Sequence, residues 1–129
     1  MSYPGTIFID IDGTIIEHTG DMETQIHGTQ ILHDCAYQTV WPKLLPGVKE
    51  FLAKYAEDCY TIIVTTGRKE SARADTERML KHYGIEYDLL IMGLGRGPRI
   101  VVNDKKPKGV EPMATGVSPE RNRGLCEYL

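Results

Sequence analysis

The chain has little that would serve a cross-linked, membrane or nucleic-acid-coating protein. Its three cysteines, Cys35, Cys59 and Cys126, lie far apart and in no Cys-x-x-Cys spacing. That pattern argues against a disulfide framework or a cysteine zinc site and suits a reduced compartment. No apolar run approaches the ~20 residues of a membrane span. The start, Met1-Ser2-Tyr3-Pro4-Gly5, leads straight into apolar residues with neither a basic region nor a long apolar stretch. A cytoplasmic setting and no membrane contact are therefore the expectation. A net charge of −3 offers no footprint for nonspecific binding to polyanions. Repeats and low-complexity tracts are absent. What is present, 129 residues with 41% hydrophobic and 26% charged, suits one compact soluble domain over 1–129 and leaves no room for two.

Four short apolar runs lack polar alternation and so read as strands buried on both faces of a parallel sheet. They are Ile7-Phe8-Ile9, Thr61 to Thr65, Leu89 to Met92, and Ile100-Val101-Val102. Helical stripes separate them. Pro46 suits a first turn, after which Val48, Phe51, Leu52, Tyr55 and Ala56 share one face. Ala72, Thr76, Met79, Leu80 and Tyr83 form a second stripe, ended by Gly84 as a C-cap. The order predicts an α/β fold, a Rossmann-like doubly wound parallel sheet. Residues 17–45 break the rhythm and read as an excursion above the sheet, a hairpin flap or minimal cap, with Trp41 packing it onto the core. Beyond Lys105 the chain is rich in Pro, Gly and Lys. Pro112 to Val117 suggests an edge strand, and Ser118-Pro119-Glu120 the opening of a brief terminal helix.

Chemistry concentrates where the strands end, which is where open parallel sheets bind ligands. The first run passes into Asp10-Ile11-Asp12-Gly13-Thr14, the second into Thr65-Thr66-Gly67-Arg68, the fourth into Asn103-Asp104-Lys105. Carboxylates two positions apart on an extended chain share a side, roughly 6.6 Å apart. Their mutual repulsion calls for a hard divalent cation with oxygen ligands. A magnesium ion between Asp10, a main-chain carbonyl near Asp12, and Asp104 fits that need, with Asn103 orienting a bound water. Asp10 is then the nucleophile toward phosphorus and Asp12 the acid and base for the leaving and attacking oxygens. Thr66 and the amides around Gly67 open a helix and suit phosphate oxygens.

Some features carry less. His18, His27 and His33 place no pair one helical turn apart and lack a cysteine partner, so they read as surface or flap residues and not zinc ligands. Gly93-Leu94-Gly95-Arg96-Gly97 precedes a strand, whereas nucleotide-binding glycines follow one, so it reads as a flexible substrate-side loop. Lys105, Lys106 and Lys108 read as a solvated face.

Asp-x-Asp-Gly-Thr, then Thr-Gly-Arg, then Asn-Asp, each after a strand and in that order, resemble the haloacid dehalogenase (HAD) superfamily of phosphatases. Leu45-Pro46-Gly47-Val48 is also similar to many members. The resemblance covers nearly the whole chain except the excursion and the last dozen residues. It implies Asp10 as nucleophile, Asp12 as general acid and base, Thr66 as phosphate-binding hydroxyl and Asp104 as a magnesium ligand. Two departures stand out: Asn103 replaces an acid often found there, and the family's third-motif lysine has no obvious counterpart. Lys81 lies too far down its helix, so Arg99 or Arg96 is expected in its place, with Arg68 a second cation.

The expectation is thus a magnesium-dependent phosphomonoester hydrolase, acting through an aspartyl phosphate on a small sugar or sugar-acid phosphate. Without a large lid, a neighbouring subunit of a homo-oligomer would enclose such a substrate. Two alternatives stay open. One is a polynucleotide-end phosphatase, since Thr66-Gly67-Arg68 is also similar to the phosphatase half of polynucleotide kinase-phosphatases. The other is a catalytically silent binding module of the same fold.

Overall fold

The computed structural model describes residues 3–109 and 111–129, so the Met1-Ser2 start lies outside the described residues. β1 (Thr6–Asp10), β4 (Thr61–Thr65) and β5 (Leu89–Ile91) form a parallel sheet in the order β1-β4-β5. Register pairs Ile9 with Val64 and Asp10 with Thr65, and Val64 in turn with Leu90. Because paired residues point the same way, Ile9, Ile62, Val64 and Leu90 line one buried face. Against it pack α2 (Val48–Glu57), through Val48, Phe51 and Leu52, and α3 (Arg73–His82), through Thr76, Met79 and Leu80. Gly84 takes φ +68° just past α3, and Ile85 N–H donates to Leu80 O at 2.9 Å. This is the left-handed stop the sequence signals.

The α/β fold with a parallel sheet stands. The strand order runs in one direction, so helices cover one face and leave Phe8, Leu89 and Ile91 of the other exposed. The expected fourth strand does not form. Ile100, Val101 and Val102 are 86%, 55% and 92% exposed and pair with nothing among the described residues. The chain leaves β5 through Gly93, Gly95, Gly97 and Pro98 and does not return to a sheet edge, so three β-branched side chains have no ladder to join. Pro112 to Val117 likewise forms no strand, Pro112 being unable to donate to a ladder. Of the expected last helix only a 3₁₀ turn, Cys126–Tyr128, is present. Asn122 at φ +64° and Gly124 at φ +77° interrupt helical backbone ahead of it.

The excursion folds into α1 (Met22–His27) and a hairpin of β2 (Thr29–His33) with β3 (Ala36–Val40). Asp21 caps α1 by accepting from Glu23 N–H at 3.1 Å. Trp41 is buried in the core, and Tyr83 OH on α3's end donates to Pro42 O at 2.5 Å. His27 on α1 pairs with Asp75 on α3. The excursion is thereby fastened to the same helix that backs the sheet.

Candidate active site

β1 ends at Asp10, and the chain turns at once. Ile11 O accepts from the N–H groups of Thr14, Ile15 and Ile16, and Gly13 at φ +88° donates to Ile16 O at 2.7 Å. Asp12 therefore belongs to a tight loop instead of extending the strand. Burial pushes the Asp10 carboxyl above the ordinary carboxylate range, and the Asp12 charge adds to that, while Ile11 N–H, Arg99 and Arg68 oppose it. The Asp12 charge thus acts on Asp10 in the direction the like-charge spacing predicts, and less than burial does.

Asp12 is held by a buried clamp. Arg68, just past β4 and 3% exposed in its side chain, donates from Nε to Asp12 Oδ2 at 3.0 Å and from Nη2 to Asp12 Oδ1 at 2.7 Å. The same guanidinium donates to Thr76 Oγ1 and to Gln25 O, both at 3.0 Å. Register makes this pairing: Asp10 and Thr65 are partners, so the chains beyond them emerge side by side. Arg68, expected as a phosphate cation, is instead consumed in orienting the acid.

Gln25 is the residue that sequence reasoning missed. Buried on α1, it donates from Nε2 to Asp12 Oδ1 at 2.7 Å and to Glu17 O at 2.9 Å. Its Oε1 accepts from Thr19 N–H at 2.7 Å and Thr19 OH at 2.9 Å. One amide thus ties the excursion to the acid. The only signal in the sequence was the Asp21 cap that starts the helix carrying it.

Thr66 is fully buried beyond β4 and its hydroxyl accepts from Arg68 N–H at 3.1 Å. Gly67 packs so tightly that a Cβ there would lie 3.2 Å from Leu94 O and 3.6 Å from Arg96 Cγ. Among the described residues the N–H groups of Asp12 and Gly67 have no protein acceptor. Each lies two residues beyond one of the paired strand ends, Asp10 and Thr65, and both suit phosphate oxygens. Arg99 lies near enough to Asp10 to lower its pKa, and its Nη1 donates to Gly95 O at 2.6 Å and Gly97 O at 2.7 Å. Arg96 and Arg99 are thus brought beside the site by the loop after β5. Lys81 is not; it lines a shallow depression with Glu77 and Tyr87 on the far part of α3.

Asn103 and Asp104 are not brought to Asp10. Asn103 Nδ2 donates to Met113 O at 3.2 Å, and Asp104, 71% exposed in its side chain, faces Lys106 at 3.5 Å. The cause is the missing fourth strand, whose end would have carried them. No cluster of three acids, histidines or cysteines able to hold a metal occurs among the described residues. Magnesium takes hard oxygens and keeps several waters. The Asp10 carboxylate, in no ion pair among the described residues, and the Asp12 main-chain carbonyl, which accepts no hydrogen bond among them, fit such an ion. Asp12's carboxylate is taken by Arg68.

A parallel α/β sheet with an acid-bearing loop at the carboxyl end of β1 and open amide donors beside it places an acid and anion-binding donors where such sheets hold ligands. The sequence model for HAD superfamily, subfamily IIIB (acid phosphatase), matches residues 2–115, and the chain belongs to that family. No curated protein matches it. It is similar to a chain in a solved structure of the Pnkp1/Rnl/Hen1 complex, at 27% identity and a TM-score of 0.53. The similarity covers 77% of this chain and 31% of that one, so the chain spans about a third of that relative's length.

Proposed function

We propose that the chain hydrolyses small phosphomonoesters, sugar or sugar-acid phosphates, by transfer of the phosphoryl group to Asp10 and then to water. The observation that carries this is the placement, where β1 and β4 end, of the Asp10 carboxylate and two amides that have no partner among the described residues, with the Arg99 charge near enough to lower the Asp10 pKa. The substrate phosphate lies against the N–H groups of Asp12 and Gly67, with Arg99 offsetting the charge on its oxygens. Asp10 Oδ attacks phosphorus, the ester P–O bond breaks, and Asp12 gives a proton to the leaving oxygen. Water then attacks the aspartyl phosphate, yields a proton to Asp12, and releases phosphate and free Asp10. Both Asp12 oxygens are bound by Arg68 in this state, so the carboxyl must turn from the guanidinium and enter the cycle carrying a proton, which the hydrolytic step then restores. Magnesium, held by Asp10 and the Asp12 carbonyl, would supply charge neutralisation at the phosphate oxygens.

The test is phosphate release from a generic aryl phosphate and from a panel of sugar and sugar-acid phosphates, with magnesium and with chelator. Turnover that survives chelation sinks the metal assignment, and turnover that survives Asp10→Asn sinks the mechanism. Magnesium binding with no turnover on any ester favours the silent binding module.

A second reading, a phosphatase for polynucleotide ends, is favoured by the likeness to a chain of the Pnkp1/Rnl/Hen1 complex. The net charge of −3 opposes it. Activity on an oligonucleotide phosphate that collapses with added salt, while sugar-phosphate turnover does not, would select it. We further propose a reducing, cytoplasmic setting, supported by three exposed, unpaired cysteines. No helix among the described residues is long and apolar enough to cross a membrane. The site is open above β1, and a neighbouring copy is the partner we propose to close it.

A further inference from the structure

The loop that carries Asp10 and Asp12 is gripped on one side by Arg68 and Gln25. On the other it is gripped by residues beyond the span 2–115 matched to the family. The stem of Arg121 lies over Gly13, where a Cβ would sit 3.1 Å from Arg121 Cγ. Asn122 N–H donates to Gly13 O at 2.9 Å, and Thr14 N–H, the other end of that peptide plane, donates to Ile11 O at 3.1 Å. The Asn122 side chain then brackets His18: its Oδ1 accepts from His18 N–H at 2.6 Å and its Nδ2 donates to His18 O at 3.2 Å. One residue therefore bonds the loop at both of its ends.

Asn122 does not reach this place by surface chance. It sits at φ +64°, in the left-handed region that Asn tolerates better than most residues. Its neighbours are anchored in the frame: Leu125 is buried in the core and its N–H donates to Pro46 O at 2.8 Å. Gly124 lies so close to that carbonyl that a Cβ would fall 2.2 Å from Pro46 O.

We propose that Asn122 is a positioning residue for phosphoryl transfer, clasping the loop so that Asp10, Asp12 and the Asp12 amide keep their mutual geometry. The proposal rests on the phosphatase reading above. Gly13 adopts a backbone open to few other residues, so the loop beyond it keeps its path through bonds made from outside. Loss of the two side-chain bonds to His18 would free residues 13–18 and let the Asp12 loop shift against Asp10 without disturbing the core.

The test uses the whole chain and two substitutions. Asn122→Gly keeps the left-handed backbone and the bond to Gly13 O but removes both bonds to His18. Asn122→Asp keeps an acceptor for His18 N–H. On an aryl phosphate well below the melting temperature, Asn122→Gly is expected to lower kcat about tenfold with KM little changed. Asn122→Asp recovers much of that loss. Amide hydrogen exchange across residues 13–18 quickens in Asn122→Gly and not elsewhere. Unchanged kcat, or a loss no greater than the unfolded fraction, overturns the proposal. If the unsubstituted chain turns over no phosphate ester, the phosphatase reading falls and takes the catalytic role of Asn122 with it. The exchange measurement then still decides the clasp, which unchanged exchange across 13–18 would overturn.

Discussion

Arg68→Met is the most exacting perturbation of this structure. The arginine makes four side-chain hydrogen bonds, two to Asp12 and one each to Thr76 Oγ1 and Gln25 O. Methionine fills much of the same channel and donates nothing. Thr76 loses little, because its hydroxyl still donates to Ala72 O at 2.8 Å. Asp12 is left with Gln25 Nε2 alone, and its side chain, 23% exposed, can recruit some water. Breaking a buried ion pair from one side costs about 3–5 kcal/mol. Partial hydration of Asp12 puts this case near the lower end, and the orphaned Gln25 carbonyl adds roughly 1 kcal/mol. A loss of about 4 kcal/mol is a large share of the ~5–15 kcal/mol that holds a domain together.

Urea unfolding reads this as a lower midpoint at unchanged slope. Thermal melting reads it as a drop on the order of 15 °C for a domain of this size. Most of the loss is the stranded carboxylate, so Asp12→Asn introduced with Arg68→Met gives a double variant that loses less than the sum of the two singles. The expected coupling is about 1–3 kcal/mol. An Arg68→Met protein within 1 kcal/mol of the parent, a threshold set at the low end of that coupling range, would refute the clamp, as would strict additivity in the cycle.

Asp10→Asn removes a carboxyl whose pKa is raised by burial first and Asp12 second. The native chain holds that proton more tightly than the unfolded one, so ionisation disfavours the fold above the raised pKa. The variant should lose phosphate release and melt higher than the parent at pH 7, an advantage that fades below about pH 4 as Asp10 protonates in both states; a pH-independent difference in melting temperature refutes it. The same raised pKa moves the acid limb of kcat/KM above the ordinary carboxylate range. Asp75 is held below the usual carboxylate range by its bond to His27 and then by Arg78. Its contribution to stability is present above the unfolded value and lost as pH falls through the lowered folded one. Asp75→Asn should therefore lower the melting temperature at pH 6 and not at pH 2, which differential scanning calorimetry can check. Gln25→Leu strands Thr19 N–H and frees one side of Asp12, and should lose about 2 kcal/mol in urea unfolding with a lower kcat. Arg99→Met should reduce kcat/KM by about a hundredfold and Lys81→Met should not; equal effects would place the phosphate cation wrongly.

Much of the frame was legible because its signals are local. Ile7 to Ile9 and Thr61 to Thr65 are apolar runs without alternation, and the stripes Val48-Phe51-Leu52 and Thr76-Met79-Leu80 have helical spacing. Ile100-Val101-Val102 carries the same local signal and forms no strand, because a strand needs a partner and the glycine-rich chain before it supplies none. The Asp10–Asp12 pair and Thr66 were legible as chemistry at strand ends. Arg68 was legible as a cation but not as Asp12's partner, since that depends on the register between β1 and β4. Gln25 and Asn122 are polar residues in stretches without a period. Each acquires its role only when a distant backbone arrives, at Asp12 in one case and at Gly13 and His18 in the other.

The division of labour among the arginines has a consequence for how substrate is met. Arg68 belongs to the frame: buried, with four of its five N–H groups bonded within the protein, it is committed to fixing Asp12. The charge that faces Asp10 rides instead on the loop after β5, where Gly93, Gly95 and Gly97 offer no side chains to brace it. Arg99 braces that loop itself, with one guanidinium nitrogen on two of its own carbonyls. A guanidinium carries five donors, so it can keep those bonds and still present others to phosphate oxygens. Substrate phosphate would then stiffen a loop already folded around its own cation, while the loop that carries Asp12 is held in place before substrate arrives and only its carboxyl turns. The reaction geometry is set on the side of the carboxylates, and adaptation to different esters falls to the side of the glycines.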